Sequence, residues 1–287
     1  MPVIALQPRR IAKPWGRRDL GPSFEAVPAS GAPVGEIRFE ADGEPELLVK
    51  YLFTSQTLSI QVHPDDAHAQ ASGQTRGKSE TWVILDAQPG ARVGLGLREP
   101  VSPDALRAAA NDGSIEDLLD WRPVSAGDVL SSPGGIIHAI GPGLSLIEVQ
   151  QNSDVTYRLH DWGRPRPLHV EDAVRVARPR PARWTSRARL ISDGRVALVD
   201  GPAFVLERWA GPRATALDAA ASRPAWLIPI AGEVETDGTI VAPGSVWMVD
   251  EPVDLRLGPG ADLLVAAPGT APLQLRRADS RGSDVTG

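Results

Sequence analysis

The sequence predicts an all-β protein made of two domains. Its 287 residues are more than one typical domain holds, since domains average roughly 150 residues. Short apolar and β-branched segments recur along the chain, and 28 glycines and 27 prolines separate them. Turn residues at intervals of roughly 8–12 residues are typical of an all-β sandwich or barrel.

Eight segments have the apolar and β-branched composition of strands. In chain order they are residues 47–53, 57–63, 80–85, 145–149, 203–209, 226–230, 246–249 and 262–266. The segments 124–129 and 241–246 also share the pattern Val-x-x-Gly-x-Val. Two related β-domains would explain this faint repeat, and a chance match of small residues is the alternative.

One segment interrupts the strand pattern and predicts a small helical insertion at about 102–120. Ser102 followed by Pro103 is typical of an N-cap and the first helical residue. Ser114 and Asp117 have the spacing of a capping box for a second short helix. We therefore expect a first domain over 1–176, a connection rich in Pro and Arg over 177–189, a second domain over 190–276, and a disordered tail over 277–287.

Composition excludes several classes of function. The net charge of −6 argues against a nucleic-acid-binding protein, which normally carries a basic excess. The absence of cysteine excludes disulfides, a thiolate nucleophile and a cysteine-based metal site. No apolar segment approaches the roughly 20 residues that span a bilayer, and the N-terminus lacks a secretory signal. We expect a soluble cytoplasmic protein with neither a nucleic-acid nor a membrane partner.

Lysine is rare in this chain. Of the 30 basic residues, only Lys13, Lys50 and Lys78 are lysines. A compositional drift towards arginine replaces lysine wherever the two are exchangeable. The remaining lysines either survive by chance or lie where a compact ammonium is needed and a planar guanidinium is unsuitable.

A turn-rich motif precedes a histidine in the first half of the chain. Gly127, Pro133, Gly135 and His138 have the spacing Gly-x5-Pro-x-Gly-x2-His, which resembles the second conserved motif of the cupin superfamily. Pro142 stands where that motif often has asparagine. Cupins are small jelly-roll barrels, so the resemblance implies a bicupin with His138 projecting into the first barrel.

Three more residues complete a candidate metal site. Gln61 and His63 are separated by one residue of a predicted strand, so their side chains face the same side. Glu80 opens the next predicted strand. Together with His138 they offer two imidazole nitrogens and two oxygens, a plausible ligand set for Zn²⁺ with a position left for water or substrate. Mn²⁺ or Fe²⁺ would also accept these ligands.

Four segments resemble type I mannose-6-phosphate isomerase in content and order. They are LSIQVHPDD (58–66), GKSETW (77–82), PGGIIHAIGPG (133–143) and EVQQNSDVTYRLHDW (148–162). The segments KPWGRRDL (13–20) and GEIRF (35–39) are similar to its N-terminal motifs, although Arg17 stands where the family often has a second glycine. The resemblance covers residues from about 10 to 172.

The resemblance implies an enzyme with one Zn²⁺ per chain that interconverts mannose 6-phosphate and fructose 6-phosphate through an enediolate. Its ligands would be the four residues already named, and a phosphosugar would be its partner. It also places Lys78, Glu148, Asp154 and Arg158 in the active-site cleft. Zn²⁺ and Arg158 would stabilise the developing oxyanion. Lys78, Glu148 and Asp154 all remain candidates for the base that transfers the proton.

The second domain is expected to lack a metal site. When the register of the first motif is placed on Gly244, Leu255 falls at the position of His138, and no histidine follows His169. We expect a degenerate, metal-free cupin domain. Two other functions remain open, namely a cupin isomerase or epimerase for another sugar and a non-catalytic sugar-binding bicupin. The sequence does not indicate an oligomeric state.

Overall fold

A computed structural model describes residues 3–182 and 188–276. The described residues form two compact units, one of residues 7–182 and one of residues 3–6 with 188–276. Each unit contains two antiparallel sheets, which confirms the predicted all-β class. The predicted tail, 277–287, and residues 183–187 of the predicted connection lie outside the described residues.

The first unit pairs a six-stranded sheet with a five-stranded one. Its strands are β2 (Gln7–Arg17), β3 (Val34–Glu40), β4 (Leu47–Phe53), β5 (Ile60–Val62), β6 (Glu80–Ala87), β7 (Arg92–Leu97), β8 (Leu119–Pro123), β9 (Val129–Ser132), β10 (His138–Ile140), β11 (Leu144–Gln151) and β12 (Tyr157–His160). Its helices are α1 (Asp66–Ala71), α2 (Pro103–Asp112), α3 (Ile115–Leu118) and α4 (Val170–Val176). The six-stranded order is β2-β3-β4-β11-β6-β9, and the five-stranded order is β12-β5-β10-β7-β8.

Two apolar clusters fix which way the strand side chains point. Leu52 and Trp82 of the six-stranded sheet join Leu95 of the five-stranded sheet in a buried cluster between the sheets. Ile60 and Val62 of β5 belong to a second cluster, shared with residues of α2 and α4. Since successive strand side chains alternate between faces, the residues that alternate with Ile60 and Val62 face the interior between the two sheets.

The helical insertion forms where the sequence predicted it. Ser102 caps α2 by accepting a hydrogen bond from the Ala105 amide (3.1 Å), and Gly113 ends it with a left-handed φ of 85°. Ser114 precedes α3 as predicted, but the predicted capping box is wrong, because the backbone of Ser114 has right-handed helical angles and its side chain makes no capping hydrogen bond. The sequence analysis did not predict helix α4. Its N-cap residue is His169, whose side chain makes no capping hydrogen bond, so no capping motif in the sequence indicated where this helix begins.

The second unit has seven-stranded and five-stranded sheets. Its strands are β1 (Val3–Ala5), β13 (Arg189–Ser192), β14 (Arg195–Asp200), β15 (Phe204–Ala210), β16 (Arg213–Leu217), β17 (Ala225–Ala231), β18 (Val234–Thr236), β19 (Thr239–Val241), β20 (Trp247–Val249), β21 (Val253–Leu257), β22 (Asp262–Pro268) and β23 (Leu275–Arg276). The orders are β1-β20-β17-β22-β15-β14-β13 and β19-β18-β21-β16-β23.

The second unit includes an N-terminal strand that was expected in the first domain, and Leu255 lies in its core. Strand β1 pairs antiparallel with β20, although residues 1–176 were expected to share one domain. Leu255, at the position expected for a missing ligand, is buried in an apolar cluster with Leu257, Leu263 and Val265. Its surroundings are those of a packed core. None of the helices that the structure describes has the length and apolar character needed to cross a bilayer.

Candidate metal centre

The four predicted ligands meet inside the first unit. One ligand atom from each of His63, Glu80 and His138 lies within 4.8 Å of the others, and all three side chains are buried. Within the described residues, this is the only such group of three His, Cys, Asp or Glu side chains. The amide Nε2 of Gln61 lies 3.4 Å from His63 Nε2 and 3.3 Å from His138 Nε2.

Strand register explains why these residues converge. His138 on β10 pairs with Gln61 on β5, and Gln61 pairs with Arg158 on β12. Register partners place their side chains on the same face of a sheet, so Arg158 lies beside the cluster. Glu80 comes from the opposite sheet, where it pairs with Ser132 on β9.

Hydrogen bonds outside the cluster orient both imidazoles. His63 Nδ1 donates to the Val155 carbonyl (2.8 Å) and His138 Nδ1 to the Ile136 carbonyl (3.0 Å). A ring nitrogen that donates to a carbonyl carries the proton, which leaves the Nε2 lone pair facing the cluster. Ser59 Oγ donates to Gln61 Oε1 (3.0 Å), and reversing this amide would turn the oxygen towards the imidazoles.

The electrostatics favour neutral imidazoles and an ionised carboxylate. Burial lowers the pKa of His138 to about 4. Burial and the Lys78 ammonium also lower the pKa of His63. Burial would raise the pKa of Glu80, but the charge of the Lys78 ammonium outweighs it and holds that pKa well below its usual value.

Glu80 makes this cluster fit a divalent cation. Both of its carboxylate oxygens are buried and accept no hydrogen bond from the described residues. Lys78 Nζ lies 2.8 Å from Oε1 as an ion pair without hydrogen-bond alignment. A buried carboxylate that lacks hydrogen bonds is costly, whereas a metal ion would satisfy it together with the two Nε2 lone pairs. The donor set is one that Zn²⁺ accepts.

Two glycines allow the ligand-bearing segments to touch. A Cβ atom on Gly77 or on Gly134 would lie 2.5 Å from backbone atoms of Asp65. The segments also share backbone hydrogen bonds, from Gly135 to His63 (2.7 Å) and from Lys78 to Pro64 (2.9 Å). Glycine is therefore required where the Glu80 and His138 segments cross the His63 segment.

An open cleft reaches the cluster. It has about 720 Å³ of empty space, including its mouth. One part of its wall is apolar, from Trp15, Leu52, Leu58 and Ile140. The remainder carries six cations (Lys13, Arg38, Lys50, Lys78, Arg158, Arg166) and four carboxylates (Glu36, Glu80, Glu148, Asp154). The structure thus brings the predicted residues Lys78, Glu148, Asp154 and Arg158 to the wall of one cleft.

Glu148 is held in a buried network. Its Oε1 accepts a hydrogen bond from Lys50 Nζ (2.9 Å), and its Oε2 accepts one from Trp82 Nε1 (3.0 Å). Lys50 also donates to Gln150 Oε1. Burial would lower the pKa of Lys50, but the charges of Glu148 and Glu36 outweigh it and raise that pKa. Lys50 is therefore a fixed ammonium in the cleft wall.

Arginines dominate another part of the cleft wall. Arg158 Nε donates to the Pro167 carbonyl (3.0 Å), and burial together with the charge of Arg166 lowers the pKa of Arg158. Arg166 makes two hydrogen bonds to Asp161, at 2.6 and 2.7 Å. Asp154, whose side chain is 81% exposed, lies 3.4 Å from Arg38.

Sequence reasoning assigned no site role to five of the charged cleft residues, which are Lys13, Glu36, Arg38, Lys50 and Arg166. The rarity of lysine was the signal that could have found Lys13 and Lys50. Lys13, Glu36 and Arg38 also lie in the two N-terminal segments that resemble the family motifs. The pairing of Lys50 with Glu148 joins residues 98 positions apart, which periodicity within one strand does not reveal.

The first unit encloses a cluster of two histidines and a glutamate between two antiparallel sheets, and the second unit has an apolar interior. These features define a protein with a bicupin fold. Comparison with known proteins finds similar sequences among mannose-6-phosphate isomerases. The chain is 38% identical over 175 residues to mannose-6-phosphate isomerase of Streptococcus mutans serotype c, covering 57% of this chain and 54% of that protein. It is also 38% identical over 147 residues to mannose-6-phosphate isomerase ManA of Bacillus subtilis, covering 48% and 46%. No family model matches.

Solved structures extend the similarity to nearly the whole fold. The crystal structure of mannose 6-phosphate isomerase from Bacillus subtilis superposes with a TM-score of 0.79 at 24% identity, covering 93% of this chain and 99% of that one. A putative mannosephosphate isomerase from Archaeoglobus fulgidus gives 0.71 at 15% identity, covering 94% and 98%. The resemblance and the bicupin fold are confirmed, and the sequence match spans about half the length of the curated relatives.

Proposed function

We propose that this protein is a Zn²⁺-dependent mannose-6-phosphate isomerase that interconverts mannose 6-phosphate and fructose 6-phosphate through an enediolate. The observation that carries the proposal is Glu80, a buried carboxylate without hydrogen bonds that faces two neutral imidazoles at a charged cleft. The sequence similarity to proteins named mannose-6-phosphate isomerase supports the same reaction.

Gln61, His63, Glu80 and His138 would hold the metal ion. When bound, Zn²⁺ supplies a Lewis acid that stabilises negative charge on the sugar oxygens without requiring proton transfer to them. One carboxylate among four ligands leaves the site with a net positive charge. The outer hydrogen bonds to Val155 and Ile136 carbonyls keep both imidazoles aimed at the ion.

Arg158 is proposed to stabilise the enediolate. Its strand pairs with the strand of Gln61, so its guanidinium can add fixed positive charge next to the reacting carbons. Preorganised charge of this kind acts where negative charge develops in the transition state. The other role open to Arg158 is to bind the phosphate group, and the two roles predict different kinetics.

The base that moves the proton between C1 and C2 is proposed to be Lys78 or Glu148. Lys78 lies beside the ligands, 3.3 Å from His63 Nε2. Glu148 is buried and fixed by two donors. Asp154 is less suited to this role, because its largely exposed side chain lies where water surrounds the substrate.

The phosphate group is proposed to lie among the cleft cations that flank the cluster. The cleft wall carries six cations against four carboxylates, so it has an excess of positive charge. An excess of cations attracts an anionic substrate and fixes its orientation. The sugar would then extend from the metal cluster towards these side chains.

A coupled assay on mannose 6-phosphate tests the proposal. We expect turnover with mannose 6-phosphate and none with unphosphorylated mannose at the same concentration. Turnover of a different sugar phosphate with none for mannose 6-phosphate would favour a cupin isomerase or epimerase for another sugar. Binding of mannose 6-phosphate without turnover by the metal-loaded protein would favour a non-catalytic sugar-binding bicupin. Either result contradicts the proposal.

A further inference from the structure

The three lysines of the chain share one location. Lys13, Lys50 and Lys78 come from three separate strands or turns, yet all three line the same cleft. Only six of the 30 basic residues do so, and random placement would rarely put every lysine among those six. Arginine elsewhere replaces lysine freely, so these three positions of the cleft favour an ammonium over a guanidinium. Lys78 lies beside the candidate metal ligands and Lys50 is held by Glu148, whereas the site described above gives Lys13 no role.

The structure provides a dedicated path for the Lys13 side chain. A Cβ atom on Gly35 would lie 2.6 Å from both Cβ and Cγ of Lys13, so the absence of a side chain at Gly35 gives the lysine stem its space. The stem crosses from β2 to β3, and Nζ ends 2.9 Å from Glu36 Oε1. Two adjacent residues, Gly35 and Glu36, thus accommodate and hold this one side chain.

Lys13 is the more accessible partner of this pair. Its side chain is 27% exposed, and that of Glu36 is 10% exposed. Burial would raise the pKa of Glu36, but the charges of Lys50, Lys13 and Arg38 outweigh it and lower that pKa to about 2. The carboxylate therefore stays ionised at neutral pH and fixes the ammonium at the edge of the cleft.

A single carboxylate holds two cations here. Glu36 Oε1 lies 2.9 Å from Lys13 Nζ, and Glu36 Oε2 accepts a hydrogen bond from Arg38 Nε, also at 2.9 Å. Arg38 also lies 3.4 Å from Asp154, so the excess of positive charge that an incoming anion meets belongs to the whole cleft, with its six cations and four carboxylates. The ammonium of lysine binds phosphate as a compact point charge with three donors.

We propose that Lys13 is a substrate-binding residue that contacts the phosphate group of the sugar phosphate, and that Glu36 positions its ammonium before the substrate arrives. The proposal rests on the proposed function, and it adds a specificity-determining residue to it. Arginine at this position would place a larger, planar guanidinium against Glu36, whose Oε2 already accepts a hydrogen bond from Arg38, whereas the compact ammonium can donate to Glu36 and to a phosphate oxygen at once.

Two substitutions at Lys13 test this role, with a matched control on the same strands. Lys13→Met removes the charge, and Lys13→Arg keeps both the charge and the pair with Glu36. Arg9→Met is the control, because Arg9 and Glu40 also pair between β2 and β3 (2.6 Å) but are exposed outside the cleft. Kinetics on mannose 6-phosphate and calorimetric binding of inorganic phosphate are measured for each protein.

We expect Lys13→Met to raise KM by about 10- to 100-fold, the effect of losing one charge-assisted hydrogen bond, with kcat nearly unchanged. Phosphate binding by Lys13→Met should weaken in parallel. Lys13→Arg should likewise have a raised KM and a weakened affinity for phosphate. Arg9→Met should match the wild type. The proposal would be overturned if Lys13→Met kept the wild-type KM and phosphate affinity, or if Lys13→Arg did.

Glu36→Gln separates binding from a structural role. It removes the carboxylate that positions the Lys13 ammonium, so inorganic phosphate should bind several-fold more weakly, although the substitution makes the cleft more positive by one charge. If Lys13 only stabilised the fold through Glu36, both Lys13→Met and Glu36→Gln would lower the melting temperature and leave phosphate affinity unchanged. A wild-type protein that binds phosphate in a Lys13-dependent way but does not turn over mannose 6-phosphate would refute the proposed function and support this inference.

Discussion

The buried pair of Lys50 and Glu148 makes a strong prediction about stability. Lys50→Met removes one charge and leaves the Glu148 carboxylate buried with only the Trp82 hydrogen bond among those described. Unit charges 2.9 Å apart attract by about 6 kcal/mol at an effective dielectric constant of about 20. Part of this attraction only offsets the cost of burying the charges, and breaking such a pair from one side costs about 3–5 kcal/mol.

Urea unfolding of Lys50→Met should therefore show a loss of about 3–5 kcal/mol in the free energy of unfolding. The double variant Lys50→Met/Glu148→Gln should recover part of that loss, because it no longer buries an unpaired charge. Arg9→Met is again the control, and it should cost less than about 1 kcal/mol because the Arg9–Glu40 pair is exposed. A loss in Lys50→Met no larger than in Arg9→Met would refute the reasoning.

Three further predictions concern the cleft. Arg158→Ala should lower kcat by roughly 10²–10³ with little change in KM, whereas a raised KM with normal kcat would assign Arg158 to phosphate binding. Lys78→Ala should lower kcat by about 10²–10⁴ if Lys78 transfers the proton, and near-normal turnover with metal still bound would remove it from the mechanism. Glu36 has a pKa of about 2 against an ordinary 4.5, so its stabilising effect is present above pH 4.5 and is lost as the pH falls towards 2. Acid unfolding followed by circular dichroism should show a shallower loss of stability over that window in Glu36→Gln, and an unchanged slope would contradict it.

Local sequence patterns were sufficient where one strand or one turn decides the geometry. Gln61 and His63 face the same side because side chains alternate along β5, and the apolar cluster around Ile60 and Val62 confirms which side that is. His138 follows a turn whose glycines permit close backbone contact. A single sequence therefore contained enough information to bring these three residues together.

Long-range pairing limited what the sequence could predict. The contact of Glu36 with Lys13 depends on the register of β2 against β3, which contains two irregularities. Strand β1 lies near the start of the described residues, and its partner β20 lies far along the sequence. Nothing in the three residues of β1 indicates that partner. Such contacts depend on which strands become neighbours, and strand periodicity carries no information about that choice.

Metal titration of the metal-free protein tests the central claim most directly. Chelation should abolish isomerisation of mannose 6-phosphate while circular dichroism stays close to that of the untreated protein, and one equivalent of Zn²⁺ per chain should restore activity. His138→Ala should neither bind that equivalent nor recover activity. Full activity in protein that elemental analysis shows to be free of metal, or normal metal content in His138→Ala, would contradict the account.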